Sequence, residues 1–492
     1  MNNLVVLPIL IPLLTAILLI LFLRRIQVQR WISGCSAVLH IGASFWLAGE
    51  VAATGIQTLY MGGWLPPYGI VLVADMLAAL LVLVASIVAA ACTFYAFRSI
   101  NVDREKHHFY PLFQFLIAGV CGSFLTGDLF NLFVCFELML MASYALIVLG
   151  GTKRQMRETI KYILINIVSS SLFVTAVAYL YAVTGTLNMA HLSVRVAEVG
   201  QYGIVMVIAT LFLIVFSIKA GLFLFFWLSG PYAAPPAVVA ALFAGLLTKV
   251  GLYAIVRTFM LIFYHDPELT HNMIGYMAAA TMILGVAGAV AYRDVNKILV
   301  YNVIAGVGFI AFGMAAANET ALEGVVFYMM HDMIVKTLLF LLGGMIVALA
   351  ESSRLDRMSG LMKQSPTLGW MFFVSGLALA GIPPLSGFIG KMKLFRGGLE
   401  AELYVITGIG VLTSLLMLYS MMKIFMKAFW GPEQPIAEYS RRRLRGLVLP
   451  AASLFILVMA IGLGAEGLTP FVERAVDVLM EPSLYIDAVL KE

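Results

Sequence analysis

The chain has 492 residues, 62% of them apolar and 12% charged, with a mean hydropathy of +0.99. Soluble domains carry roughly 45–50% apolar and about 25% charged residues, so a soluble enzyme is excluded and 1–492 reads as a single integral membrane domain. The net charge of +5 is small, and the placement of the charges matters more than their sum.

Apolar runs of about 20 residues, the length that crosses a bilayer, recur along the whole chain. In order they predict spans over 3–23, 31–51, 73–97, 109–126, 129–149, 160–183, 202–228, 237–262, 272–292, 297–317, 322–350, 369–397, 402–430 and 446–466. The first run has no positive charge before it, and Arg24 and Arg25 follow it without a small-residue cleavage pattern, so it reads as a retained span rather than a signal peptide. Cys35, Cys92, Cys121 and Cys135 fall inside apolar runs with no paired spacing and read as packing residues. The acidic, half-apolar tail from Gly467 to Glu492 predicts a short surface helix. The Arg441 to Arg445 cluster reads as a topology signal in preference to an anionic-lipid site.

Cytoplasmic loops are enriched in Lys and Arg. With the N-terminus outside, fourteen spans place 20 of these residues in inside loops. Only Arg195, Arg396, Arg474 and Lys491 fall outside. Gaining or losing one span would scramble that alternation. The expectation is a multi-pass protein of the cell membrane with both termini outside.

Seven Lys or Arg remain within the spans. Arg257, Lys393 and Lys423 lie toward span ends, where a long side chain can reach the interface. Lys219, Lys249, Lys336 and Lys391 lie deeper. At roughly 2.5–3.5 kcal/mol each on insertion scales, four unmatched charges would cost about 10–14 kcal/mol. Glu137 supplies a negative charge in the fifth span, and Asp332 stands four residues before Lys336 on one helical face, with His331 beside it. Burial lowers a lysine's pKa and raises a carboxylate's, while pairing reverses both shifts. A lysine that gains and loses a carboxylate partner therefore switches its proton on and off. A row of such lysines, joined by water and His331, reads as a proton wire. No zinc spacing, nucleophile elbow or phosphate loop is present, so no catalytic residue, metal, cofactor or nucleic-acid partner is expected. Gly306-Val307-Gly308 reads as close helix packing.

Phe216-Ser217-Ile218-Lys219-Ala220-Gly221-Leu222-Phe223 and Phe388-Ile389-Gly390-Lys391-Met392-Lys393-Leu394-Phe395 share Phe-x-x-Lys-x-x-Leu-Phe. The two segments lie five spans apart and cross in opposite directions, the relation between inverted-topology repeats. This predicts two five-helix copies, spans 4–8 (109–262) and 9–13 (272–430), in an all-α fold of about fourteen transmembrane helices. Helix breaks are expected beside the lysines, at Gly221 in span 7 and at Pro383 and Pro384 in span 12. Shifting Glu137 by the 172-residue offset between Lys219 and Lys391 lands on Phe309. The second copy thus lacks the carboxylate, and any partner charge for Lys391 is expected from another subunit.

Gly127-Asp128-Leu129-Phe130-Asn131-Leu132-Phe133-Val134-Cys135-Phe136-Glu137, the Lys219 run, Ala234-Pro235-Pro236, Leu247-Thr248-Lys249-Val250-Gly251 and Gly381-Ile382-Pro383-Pro384-Leu385-Ser386-Gly387-Phe388 resemble the antiporter-like subunits shared by respiratory complex I and the Mrp cation/proton antiporters. The resemblance covers nearly the whole chain. It implies the fourteen-helix fold with inverted repeats, a Glu137 and Lys219 pair, central lysines Lys249 and Lys336, and a terminal proton-channel lysine Lys391; apart from the resemblance, Asp332, Phe136 and Lys393 read as supporting residues. The length and Lys391 bring the chain nearest to the D-type Mrp subunits. This implies proton transport coupled to Na+ exchange, with subunits of A, B, C, E, F and G type and membrane lipids as partners. The alternatives are a proton-pumping subunit of an NADH dehydrogenase or membrane hydrogenase, and a scaffold that only holds conducting partners. Two departures stand out. The proline usual after the Lys219 run is missing, with Ser229-Gly230 replacing the one after Trp-Leu. Tyr232 and Ala233 stand where complex I relatives carry a histidine.

Overall fold

The computed structural model describes residues 2–433 and 438–490, leaving the side chains of 438–445 undescribed. The Arg441 to Arg445 side chains and Lys491 therefore lie outside the described residues. The chain is mostly helical. Its principal helices are α1 (Leu7–Leu21), α2 (Ile26–Thr54), α3 (Met76–Ser99), α4 (Phe109–Leu125), α5 (Leu129–Val148), α6 (Lys153–Thr184), α7 (Ile204–Ala220), α8 (Ala237–Leu261), α9 (Pro267–Ala291), α10 (Val295–Ala316), α11 (Glu319–Ala350), α12 (Pro366–Ala380), α13 (Ser386–Glu400), α14 (Tyr404–Phe429), α15 (Glu438–Leu463), α16 (Ala465–Met480) and α17 (Pro482–Leu490). Among the described residues, eleven helices are long and apolar enough to cross a membrane, and α4, α7 and α12 are shorter apolar helices. A two-stranded hairpin, β1 (Gln57–Tyr60) with β2 (Val71–Ala74), lies between α2 and α3.

α3, α8, α10 and α11 are buried on nearly every side and form the centre of the fold. Around them α1, α2, α6, α9 and α14 expose large apolar side chains such as Leu39, Leu164 and Leu415, the surface that lipid or a neighbouring subunit covers.

Local structure recurs along the chain. Asp128 caps α5 by accepting from Asn131 N, and Asp294, 166 residues later, caps α10 by accepting from Lys297 N. Leu129 N bonds Leu187 O and Met189 N bonds Gly127 O. At the same offset, Val295 N bonds Ser353 O and Leu355 N bonds Arg293 O. α7 and α12 both end in Ala-Gly, with Gly221 and Gly381 left-handed at φ 74° and 88°. In each the next amide reaches back to the last turn, Leu222 N to Ser217 O and Ile382 N to Leu377 O.

This pattern corrects the register predicted from the lysine motif. Lys219 is the penultimate residue of α7, ahead of its break, whereas Lys391 lies within α13, beyond the break at Gly381 to Leu385. The shared Phe-x-x-Lys-x-x-Leu-Phe therefore crosses a helix end in one case and runs along a helix in the other. At an offset of 166 the residue opposite Glu137 is Val303, not Phe309, and both are apolar. Span 7 is likewise not a helix broken in two. α7 stops at Ala220, and residues 221–236 form turns until Ala237, because Gly221 reverses the chain and Pro231, Pro235 and Pro236 lack the N–H a helix needs. The span containing Pro383 and Pro384 does resume as a helix, α13.

The tail differs from the predicted surface helix. α16 buries Val472, Ala475, Val476 and Leu479 against α3 and α11, and α17 buries Tyr485. Of the cysteines, Cys92 and Cys121 are buried in packing, but Cys35 faces outward on α2.

Candidate functional site: a row of buried lysines

The deep charges form three clusters. The first joins α5, α6 and α7. Lys219 is 4% exposed, and its Nζ stands 3.9 Å from Glu137 Oε1. Ser170 on α6 lies between them, accepting from Lys219 Nζ at 2.8 Å and donating to Glu137 Oε1. The Phe136 ring lies 5.8 Å from Lys219 Nζ and packs with Phe173 and Phe216. Glu137 is the more accessible partner, its side chain 32% exposed.

The second cluster lies at the centre, between α8, α10 and α11. Asp332 is fully buried between two lysines, with Lys249 Nζ 2.6 Å from one carboxylate oxygen and Lys336 Nζ 3.5 Å from the other. Lys249 emerges just after a π-helical turn, Phe243 to Leu247, and donates to the Ala244 carbonyl at 2.9 Å. Such wide turns are frequent at functional sites, since they shift the helix face by one residue. Lys336 donates to the Asn302 carbonyl at 2.6 Å, and the Asn302 amide is held by Ser420 on α14. Gly306 matters here: a Cβ at that position would stand 2.9 Å from the Asp332 carboxylate, so its absence lets α10 close over the acid. The second glycine, Gly308, packs likewise on Met282 of α9. α8 meets α7 at Gly251, where a Cβ would stand 2.5 Å from Ala220 N, and this seats Lys249 close behind the first cluster.

The third cluster joins α11, α12, α13 and α14. His331 bonds Ser386 Oγ through Nδ1 at 2.8 Å, and its Nε2 is buried with no hydrogen-bond partner among the described residues. Lys391 donates to Ala380 O at 3.2 Å, a carbonyl freed by the end of α12, and to Ser414 Oγ at 2.8 Å. No carboxylate pairs with Lys391 among the described residues. Instead the Phe309 ring centroid lies 4.4 Å from Nζ, a cation–π contact. Tyr328 packs within this cluster, with its ring 5.8 Å from Lys391 Nζ and 5.6 Å from His331. A cavity of about 280 Å³ adjoins Lys391, lined by Gly381, Phe388, Val411, Ser414 and Leu415.

Two lysines stand apart, in keeping with their place near span ends, so Lys393 does not join the clusters that it was expected to support. Lys393 pairs with Glu323, and Lys423 caps α9 through the Val290 and Tyr292 carbonyls at 2.7 and 2.6 Å. Arg257 does not fit that expectation. It is fully buried, pairs with Asp75 at 2.6 Å, and lies between the rings of Tyr253 and Tyr485 at 5.3 and 5.0 Å. The signal overlooked in the sequence was Asp75, an acid inside the predicted span 73–97, which also caps α3. Removing one partner of a buried pair typically costs about 3–5 kcal/mol. Asp75→Ala, which strands Arg257 and uncaps α3, is therefore expected to lower the melting temperature of the purified complex well below that of Arg257→Leu, which leaves Asp75 its capping bond. Ser170, Asn302, Ser386 and Ser414 were also missed, because a lone serine or asparagine in an apolar run carries no sign of what it will touch.

The family described as NADH:quinone oxidoreductase/Mrp antiporter, TM, matches residues 126–417. The chain is 52% identical to the D-type subunit of the Na(+)/H(+) antiporter of Bacillus subtilis (strain 168), with 100% of both chains covered. Among solved structures it is similar to a chain of the Mrp complex from Dietzia sp. DQ12-45-1b, at a TM-score of 0.93 and 30% identity, covering 100% of each. It is also similar to a chain of a membrane-bound sulfane sulfur reductase, an archaeal respiratory membrane complex, at a TM-score of 0.91 and 26% identity, covering 99% of this chain and 100% of that one.

Proposed function

This chain belongs to the NADH:quinone oxidoreductase/Mrp antiporter transmembrane family, and we propose that it serves there as the D-type, proton-translocating subunit of a multisubunit Na+/H+ antiporter in the cell membrane. The observation that carries the proton-conducting part is the row of buried titratable groups from Glu137 through Lys219, Lys249, Asp332, Lys336 and His331 to Lys391. Intramembrane charges of this kind mark ion and proton pathways. Each lysine has a carboxylate, hydroxyl or carbonyl within reach, which holds its charge in the interior. Asp332, shared between two lysines, can favour either one, which provides a way of passing charge along the row. Buried polar atoms are ordinarily hydrogen-bonded. His331 Nε2, together with the hydroxyls of Tyr328 and Thr248, which have no partner among the described residues, supports water as the link between clusters.

Fourteen crossings with both termini outside form part of the same proposal. Loops that the charge count assigns to the inside meet in space. Arg154, Glu158 and Lys161 line one cavity with Ser229, Gly230, Asp294 and Lys297, and Arg30 pairs with Glu105. Arg474 of the tail reaches Ala52 O, on the other assigned side. The structural recurrence 166 residues apart supports two copies, spans 4–8 and 9–13, related by inversion. Subunits of A, B, C, E, F and G type are the partners, and one of them supplies the negative charge that faces Lys391. The likeness to a chain of a sulfane sulfur reductase favours a second reading, proton pumping driven by redox chemistry in other subunits. Membrane vesicles holding the complete complex separate the two. An imposed Na+ gradient is expected to drive proton movement without any electron donor. Proton movement that requires an electron donor and ignores Na+ would favour the redox-driven reading.

A further inference from the structure

Ser170 sits among three consecutive serines on α6. Ser171 donates back to Ile167 O, one turn earlier, the usual arrangement for a hydroxyl within a helix. Ser170 gives its proton to Glu137 instead and accepts from Lys219 Nζ at 2.8 Å. Lys219 and Glu137 are themselves 3.9 Å apart, beyond direct hydrogen-bond reach. Around them the rings of Phe136, Phe173 and Phe216 pack on one another, with centroids 5.1 to 6.4 Å apart, and leave Lys219 buried. A hydroxyl accepts and donates through a single atom, so it can hand a proton on without holding a charge.

We propose that Ser170 is the relay hydroxyl of the Glu137 and Lys219 pair: the proton passes between lysine and carboxylate through Ser170 Oγ, not by direct contact. This rests on the proton-conducting function proposed for the same site. In the forward step an N–H bond of the Lys219 ammonium breaks as an O–H bond forms at Ser170. Ser170's original O–H bond breaks as one forms on Glu137 Oε1. The lysine becomes neutral, the carboxylate becomes a carboxylic acid, the serine is unchanged in composition, and no electrons are transferred. Rotation of the hydroxyl resets the relay. By holding the two groups apart, Ser170 also keeps them from closing into an ion pair too stable to release its proton.

The test uses vesicles containing the complete complex with Ser170→Ala, Ser170→Cys and Ser170→Thr, reading sodium-driven proton movement per assembled complex. Positioned proton-transfer groups contribute about 10²–10⁴-fold, and water can partly replace a missing hydroxyl. Losses of about tenfold or more are therefore expected for Ala and Cys, with Thr restoring near wild-type movement. Cys keeps the side-chain volume, so it reports on the hydroxyl even if Ala fails to assemble. Wild-type movement in Ala or Cys would overturn the relay, as would equal loss in Thr, or failure of all three to assemble, which would make Ser170 a packing residue. If Glu137→Ala abolishes movement while Ser170→Ala does not, only the relay falls. If neither affects it, the proton-conducting function falls as well.

Discussion

Asp332→Ala is expected to reduce the amount of assembled complex sharply and to abolish sodium-driven proton movement in what remains. Asp332 is fully buried and lies 2.6 Å from Lys249 Nζ and 3.5 Å from Lys336 Nζ, so its removal leaves two ammonium groups in the protein centre without a counter-charge. Breaking one buried pair costs about 3–5 kcal/mol. That is a large part of the roughly 5–15 kcal/mol by which folded domains are stable. The Ala244 and Asn302 carbonyls still accept from the two lysines, which limits the loss without cancelling it. Asp332→Asn keeps the shape and removes the charge. It is expected to assemble better than Ala and to conduct no better. Immunoblots of the membrane fraction read the first effect, and vesicle flux per assembled complex reads the second.

The Glu137 and Lys219 pair is expected to respond asymmetrically. Glu137→Ala leaves Lys219, 4% exposed, with only the Ser170 hydroxyl. Lys219→Ala leaves a carboxylate whose side chain is 32% exposed and still accepts from Ser170. Uncompensated charge is expensive in proportion to its burial. The melting temperature of the complex should therefore fall further for Glu137→Ala than for Lys219→Ala, while both lose transport. An equal fall in melting temperature would mean that Glu137 is as buried in the assembly as Lys219.

Much of this arrangement was legible in the sequence because membranes penalise charge so heavily. Lys219, Lys249, Lys336, Lys391, Glu137 and Asp332 stand out against long apolar runs, and the structure places Glu137 beside Lys219, Asp332 between Lys249 and Lys336, and Lys391 against the Ala380 carbonyl. The long apolar runs also gave most helices to within a few residues. What the sequence concealed follows from two causes. Register depends on where helices stop, and a motif of residue types does not mark stops, so Lys219 and Lys391 looked equivalent although one precedes its break and the other follows it. Long-range partners carry no local sign. Arg257 looked like a residue reaching for the interface until Asp75 and Tyr485, from opposite ends of the chain, closed around it. The uncharged residues that connect the row, Ser170, Asn302, Ser386 and Ser414, resemble any other small polar residue in an apolar helix.

The proposed route for protons driven by sodium exchange is this buried row, starting at the pair of α5 and α7. It is tested most directly by sodium-driven proton flux in vesicles holding the assembled complex with Glu137→Ala, measured beside wild type at matched protein content. Flux reduced to the level of empty vesicles is the expected result; flux equal to wild type would contradict the pathway.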